Sequence, residues 1–390
     1  MVPIGRRGLP ASTAQRMKSP NIDYLPAIDH LRGLAALLIV FYHGLHVISY
    51  RLRFGAAFGF DGWLQPANPL LAALAEGHTA VSLFMVLSGF IFTIGALGRG
   101  VSTAGFLRNR FLRTYPLFLA VLLFAMLWAP QRVAPLPLLQ TLLALGNLRG
   151  SLDIPPFTSM FWTIAVEWHF YLLFPLLLRG LERHGPRALL AVLALAFLLR
   201  VGALAAGYGM RDLGYLTIFG RIDQFLAGML AGVIYRSGWR PAGGWLPVLC
   251  LSGTGIFAAL WALNGAGGWP VEATFRIGWG TLEAALWGAF VLGWVGSATR
   301  LPATLSRVLA AIGTISYSMY LLHFLVIDAI AGSGLLLQPA GASPAAAALL
   351  STALLVLPVT LLLSALSYRL VERPFLRLRG VYARGSAAAG

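Results

Sequence analysis

Apolar residues recur along this chain in ten long runs, near 31–49, 79–98, 115–131, 159–178, 187–206, 215–235, 245–263, 277–297, 309–331 and 346–368. A helix needs about 20 apolar residues to cross the hydrocarbon core of a bilayer, and these runs approach or reach that length. The third is short, and Pro135 and Pro137 interrupt the chain just beyond it. The apolar piece 138–147 is too short to span, which predicts a re-entrant or interfacial segment. Residues 1–28 are polar and lack the apolar core of a signal peptide, so they are expected to form a flexible tail. A second tail is expected over 377–390. The pattern as a whole predicts an all-α polytopic integral membrane protein of about ten transmembrane helices, with one membrane domain over 29–376.

Composition agrees. Hydrophobic residues make up 58% of the chain and charged residues 11%, against about 25% charged in a soluble domain. The single cysteine, Cys250, leaves no disulfide framework and no cysteine cluster for zinc; no metal is expected. The net charge of +16 raises the question of nucleic acid, but the basic residues sit between the apolar runs, as topology signals do, and not along a groove. Twenty of them fall on one set of alternate connections and ends, among them Arg99, Arg108, Arg110, Arg113, Arg236 and Arg379. The other set holds six: Arg51, Arg53, Arg132, Arg149, Arg211 and Arg276. Positive charge marks the cytoplasmic side, so both termini are expected there and the long connections 50–78 and 132–158 outside.

Ionisable residues inside the runs are the candidate chemistry, because at that depth they face a protein interior or a wet cavity and mark function. In the first run His43 lies three helical turns beyond Arg32, offset by only about 20° around the axis. Asp29 falls within about 40° of the same line, one turn before Arg32. A carboxylate, a guanidinium and an imidazole thus share one face. His46, a turn beyond His43, either shares that cavity or is a wet interfacial histidine. Glu167 sits midway down the fourth run, at a depth compatible with His43; the alternative is a structural ion pair with an arginine of another span. His169 points about 160° away from Glu167 and reads as packing. Ser316, Tyr320 and His323 share a face of the ninth run, either lining a substrate path or bonding helix to helix. Arg221 and Gln224 share a face near the outer end of the sixth, where Arg221 alternatively pairs with Asp223 or reaches the interface. Arg200, Glu283 and Asp328 read as structural. Arg110 and Arg113, three apart, suit phosphates through bidentate hydrogen bonds. From charge alone, contact with anionic lipid headgroups is the simpler reading.

Taken together the motifs resemble those of the acyltransferase family 3 membrane proteins, which O-acylate bacterial surface polysaccharides and other extracytoplasmic or lipid-linked acceptors. The resemblance runs from about residue 24 to 376. It rests on Ile28-Asp29-His30-Leu31-Arg32-Gly33-Leu34-Ala35, on the Arg32/His43 spacing and on Phe84-Met85-Val86-Leu87-Ser88-Gly89-Phe90. It continues through Arg110-Phe111-Leu112-Arg113 with Tyr115-Pro116, and Phe161-Trp162-Thr163 through Glu167 to Tyr171 and Pro175. Arg221 with Phe225 and Gly228, then Ser316-Tyr317-Ser318-Met319-Tyr320-Leu321-Leu322-His323 and Glu372-Arg373-Pro374-Phe375 complete it. Two departures stand out. His30 occupies a position where the family usually has glycine, and the fused C-terminal SGNH hydrolase-like domain of many relatives is not found in these 390 residues. Acceptor recognition is then expected from the outer loops or from another protein.

The resemblance implies a multi-pass protein of the bacterial inner membrane that binds no cofactor. It would use acyl-CoA, with acetyl-CoA the expected form, as co-substrate from the cytoplasm and a hydroxyl of a carbohydrate or lipid-linked glycan as acceptor. On that reading His43 is the base, suited by a pKa near neutrality, and Glu167 fixes its tautomer as the acid of a triad does. Asp29 and Arg32 position the donor, while Arg110 and Arg113 hold the CoA phosphates. Arg221, Ser316, Tyr320 and His323 line the cavity or meet the acceptor. The thioester would travel about 16 Å from Arg32 to His43, within reach of an extended pantetheine arm. Direct transfer and an acyl-histidine intermediate both remain open. The rival class is a transporter or flippase of a lipid-linked sugar or small metabolite; no inverted repeat or paired broken helices favour it.

Overall fold

The computed structural model describes residues 21–298 and 301–383, and in that range the chain is helical with no β-strand. Most of the tail expected over 1–28 and the last residues of 377–390 lie outside the described residues. Helices α1 (Pro26–Phe54), α2 (Pro69–Ala75), α3 (Thr79–Ala96), α4 (Thr103–Trp128), α5 (Pro135–Leu142), α6 (Phe161–His184) and α7 (Pro186–Ala205) build the first half. Helices α8 (Met210–Leu216), α9 (Ile218–Ser237), α10 (Trp245–Gly265), α11 (Arg276–Ser297), α12 (Ala303–Thr314) and α13 (Ser316–Gly332) come next. A last helix, α14 (Pro344–Leu376), carries π turns at Thr352–Val356 and Tyr368–Glu372. Eight helices are long and apolar enough to cross a membrane, and α12 with α13 makes a ninth if the bent pair is one span.

Helices form at all ten apolar runs, with two departures from the expected pattern. The ninth run is not continuous: α12 and α13 meet at 70°. Gly313-Thr314-Ile315-Ser316 carries the break, with the Thr314 hydroxyl bonded back to the Ala310 carbonyl and a tight Ile315-to-Ile312 turn, the features that bend helices. The eighth run forms α11 at full length, with Arg276, Glu283 and five glycines among its 22 residues. The third run also starts earlier than its apolar stretch, because α4 begins at Thr103, where the Ser102 hydroxyl caps it. Arg110 and Arg113 consequently lie on a helix, not in a loop.

Burial sets the layers. In α3 16 residues are buried, whereas only Leu189, Ala196 and Arg200 of α7 are; α3 is central and α7 peripheral. Helices α3 and α9 run so close that a Cβ at Gly89 would overlap the Phe225 carbonyl, and one at Gly228 the Val86 carbonyl. The small residues Gly228 and Gly232 thus serve packing within the chain. Asp223 of α9 pairs with Arg200 of α7 at 2.9 Å, so Arg221 is left for another partner. A buried pair of this kind fixes register even where its net stabilisation is small.

With this connectivity the N-terminus of α1, the C-terminus of α3, the N-terminus of α4 and the C-terminus of α14 gather at one end of the bundle, the end that carries most of the arginines. The segments flanking the membrane body are tied there. Asn21 is buried and its amide bonds the backbone of Gly380, Tyr382 and Ala383. Asn109 of α4 exchanges two hydrogen bonds with Gly380, at 2.7 and 3.0 Å. Residues 377–383 form a strap across this end, so the anchored body extends beyond the expected limits of 29 and 376.

Candidate active site

At the arginine-rich end α1, α3, α4, α6 and α13 line a cavity open to solvent. Arg32, Arg110 and Arg113 line it from one side, Glu167 and Ser88 from another, and Ser316 and Tyr320 from the start of α13. The bend between α12 and α13 is what brings Ser316 there, as the first residue of the new helix. Arg32 keeps 31% of its side chain exposed and leans on Asp29 at 3.6 Å. Asp29 is not among the lining residues; its carboxylate steadies Arg32 from behind.

The two arginines of α4 are held differently. Arg110 lies over the rings of Phe92, Phe106 and Tyr171, at 4.7, 5.6 and 6.0 Å from their centroids. The aromatic cage fixes the guanidinium without neutralising it. Arg113 donates to Glu372 of α14 at 2.9 Å, and the Glu372 side chain is fully buried. Its charge is balanced internally. A fourth guanidinium, absent from the expected site, comes from the strap: Arg379, whose Nε donates to the Leu376 carbonyl at 3.1 Å. Burial, then the positive charges of Arg113, Arg110 and Arg32, push it down to about 10. Such mutual repulsion marks a cluster with fewer carboxylates than cations, and an anion would relieve it. The sequence held Arg379 only as one more topology charge, and no spacing signal singled it out.

His43 lies deeper, three turns along α1 from Arg32. Its partner is not Glu167. The His43 and His323 rings approach to 5.0 Å between centroids, and His43 Nδ1 meets His323 Nε2 at 2.9 Å. On the far side of its ring His323 Nδ1 lies 3.0 Å from the Met319 carbonyl and 2.8 Å from that of Tyr320. Glu167 instead accepts from the Ser88 hydroxyl at 3.0 Å and faces the cavity. Equal depth on two helices did not imply equal direction, and the expected His43–Glu167 pairing is corrected on that ground. His46 is structural: its ring stacks on Trp63 at 3.8 Å between centroids, and Nε2 bonds the Ala75 carbonyl at 2.9 Å.

Arg221 lies in neither place. Its Nη1 donates to Ser82 and its Nε to the Tyr215 carbonyl, both at 2.9 Å, and its guanidinium stacks 4.0 Å above the Tyr215 ring. It belongs to a second, smaller pocket at the opposite end, lined also by His78, Arg276, Trp279 and Glu283. Trp63, Trp269 and Tyr215 pack together beside it, at 6.0 and 5.3 Å between neighbouring centroids. The residues grouped as cavity-lining therefore divide three ways: Ser316 and Tyr320 at the large cavity, His323 on His43, and Arg221 at the far pocket. Among the described residues no group of three or more His, Cys, Asp or Glu side chains is arranged to hold a metal ion.

A sequence model described as an acyltransferase domain matches residues 25–369. The acyltransferase MdmB of Streptomyces mycarofaciens is 28% identical over 396 residues, which cover 93% of this chain and 94% of that protein. The O-acetyltransferase OatA of Staphylococcus aureus is 25% identical over 248 residues, 58% of this chain and 36% of that one. No solved structure matches the chain.

Proposed function

The chain belongs to the acyltransferase domain family, and from that premise we propose that it moves an acyl group from cytoplasmic acyl-CoA to a hydroxyl of an acceptor at the other side of the membrane. Membership makes it an enzyme, which sets aside the transporter reading. Orientation, donor and acceptor are the parts proposed. The single observation that carries them is the placement on α1 of Arg32, at the mouth of a cavity ringed by guanidiniums, in line with His43 about 16 Å further on.

The cluster of Arg32, Arg110 and Arg379 suits the phosphates of a CoA ester, which pair with guanidiniums through charge-assisted hydrogen bonds. Arg113, already bonded to Glu372, is left out of that cluster. The helical rise of about 16 Å from Arg32 to His43 suits an extended pantetheine arm, and the apolar walls beside Arg32, Val81, Phe84 and Met85, suit a chain with few charges. Glu167 and Ser88 supply polar partners for its amides. At the far end of this path His43 takes the proton of the acceptor hydroxyl as its oxygen bonds to the thioester carbonyl carbon. The tetrahedral adduct collapses with cleavage of the carbon–sulfur bond, and His43 returns the proton to the leaving thiolate. Acceptor access is proposed through the opposite pocket. Its polar walls of Arg221, Glu283 and His78 beside Trp63, Trp269 and Tyr215 suit hydroxyl-bearing rings, and a carbohydrate or lipid-linked glycan is the acceptor class proposed.

An acetyl donor is the first to test, since O-acetyl transfer is the named activity of the Staphylococcus relative. Purified protein in liposomes should release CoA from radiolabelled acetyl-CoA in step with labelled product, and only when a hydroxylated acceptor is supplied. CoA release at the same rate without acceptor, or with His43→Gln, would remove the proposal.

A further inference from the structure

The hydrogen bonds around His323 leave little freedom to the proton on His43. A carbonyl oxygen only accepts, so the two backbone carbonyls facing His323 Nδ1, Met319 O at 3.0 Å and Tyr320 O at 2.8 Å, place a hydrogen on that nitrogen. In a neutral ring the hydrogen at Nδ1 makes Nε2 a lone-pair acceptor. His43 Nδ1, 2.9 Å from it, must then be the donor. The hydrogen of neutral His43 is thereby assigned to Nδ1, and Nε2 is left bare. His323 is buried and His43 half-buried, so the first is out of reach of substrate while the second is not.

We propose that His323 is the positioning residue of the acyl transfer, holding His43 in the tautomer whose Nε2 can take a proton. The reading rests on His43 as the base. It gives His323 the place that a carboxylate has in a serine-hydrolase triad, but with a neutral ring whose own tautomer is set by the backbone of α13. A carboxylate at this depth would have to be buried as a charge; an imidazole polarised by two carbonyls carries no such charge. The Thr314–Ser316 break also matters here. It starts α13 afresh, so that the turn holding Met319, Tyr320 and His323 is set by its packing on α1 and not by the direction of α12.

The test reads the tautomer and the rate separately. In protein labelled with 15N histidine, the signal lost in His43→Gln identifies His43 among the seven histidines. It should show a protonated Nδ1 and a bare Nε2 at neutral pH. In His323→Leu part of the proton should move to Nε2, with the Ile39 carbonyl left as the acceptor beside the His43 ring, whereas Glu167→Gln should leave the pattern unchanged. In the transfer assay His323→Leu should lower kcat by about 10²- to 10⁴-fold with the KM for acyl-CoA within about two-fold of the parent. His323→Gln, whose carbonyl can accept from His43 Nδ1, should recover part of that loss. A wild-type His43 protonated on Nε2 overturns the inference without any variant having to fold. So does a His323→Leu enzyme with undiminished kcat. If His43→Gln stays active, the assignment of the base falls instead, whatever the tautomer.

Discussion

Arg113 and Glu372 meet at 2.9 Å across 259 residues of sequence, joining the first turns of α4 to the last turn of α14. Glu372 also accepts from Ser318, so one buried carboxylate ties α4, α13 and α14 together at the mouth of the large cavity. The pair is structural first. Arg113→Ala should cost about 3 kcal/mol, the low end for stripping a buried partner because Arg113 is 17% exposed. A clear drop in the melting temperature of detergent-purified protein is expected, with Glu372→Gln losing less. Equal melting of Arg113→Ala and parent would mean that the pair contributes nothing to stability.

Arg110 should behave the other way. Its cage of rings holds a cation with no carboxylate ion pair among the described residues, so Arg110→Ala should melt near the parent and raise the KM for acyl-CoA by about 10- to 100-fold, the range for one or more lost charge-assisted contacts. Because those contacts exist before and during transfer, kcat should change less. Arg379→Ala should show the same split through the strap. An unchanged KM in the Arg110/Arg379 double variant would leave the cluster to lipid headgroups.

His43→Ala and His43→Gln should both abolish transfer while accumulating in the membrane and melting within a few degrees of the parent. Gln keeps a hydrogen bond to His323 but has no basic nitrogen to take the hydroxyl proton. Binding of acyl-CoA, measured by equilibrium dialysis, should survive in both. Residual activity above about one hundredth of the parent in the Gln variant would count against general-base catalysis.

At the opposite end, burial pushes the Glu76 carboxyl from an ordinary 4.5 up to about 8, and the same burial holds His78 neutral. Their contact at 3.1 Å is then a carboxylic acid donating to an imidazole. The folded protein binds that proton more tightly than the unfolded chain, so its stabilising effect is complete below about pH 4.5 and fades as the pH rises through 8. Glu76→Gln keeps a donor to His78 without the titration. Parent and variant should melt together near pH 5, and the variant should melt higher at pH 9. A parent that gains on the variant as pH rises would show Glu76 to be folded as a carboxylate.

Topology can be read with single cysteines in a Cys250→Ala background, since Cys250 is exposed. Ala104, in the first turn of α4, and Asp153, in the connection before α6, are both exposed and stand at opposite ends of the bundle. In the proposed orientation Asp153 lies outside. A membrane-impermeant thiol reagent on whole cells should label Asp153→Cys and spare Ala104→Cys. The reverse pattern would put the arginine cluster outside, away from cytoplasmic acyl-CoA.

The sequence by itself determined the membrane class, the order of helices and the line of Asp29, Arg32 and His43 on one face. These follow from local rules, the length of apolar runs and the 3.6-residue period, and neither depends on what packs opposite. It also held Arg110 and Arg113 together as neighbours. What it could not decide was direction between helices. Glu167 and His43 share a depth, yet Ser88 and His323 are their partners, because the rotation of α6 and α13 about their axes is set by what packs against them. Arg113 was paired by a residue 259 positions away, and Arg379 joined the cluster only because Asn21 and Asn109 strap the chain's end across α4. The bend before Ser316 was equally hidden: Gly313 and Thr314 permit it, while close contact of α12 with the start of α1 fixes it. Tertiary structure alone assigned each polar side chain its partner, since a buried donor or acceptor must find one and the nearest in space is seldom near in sequence.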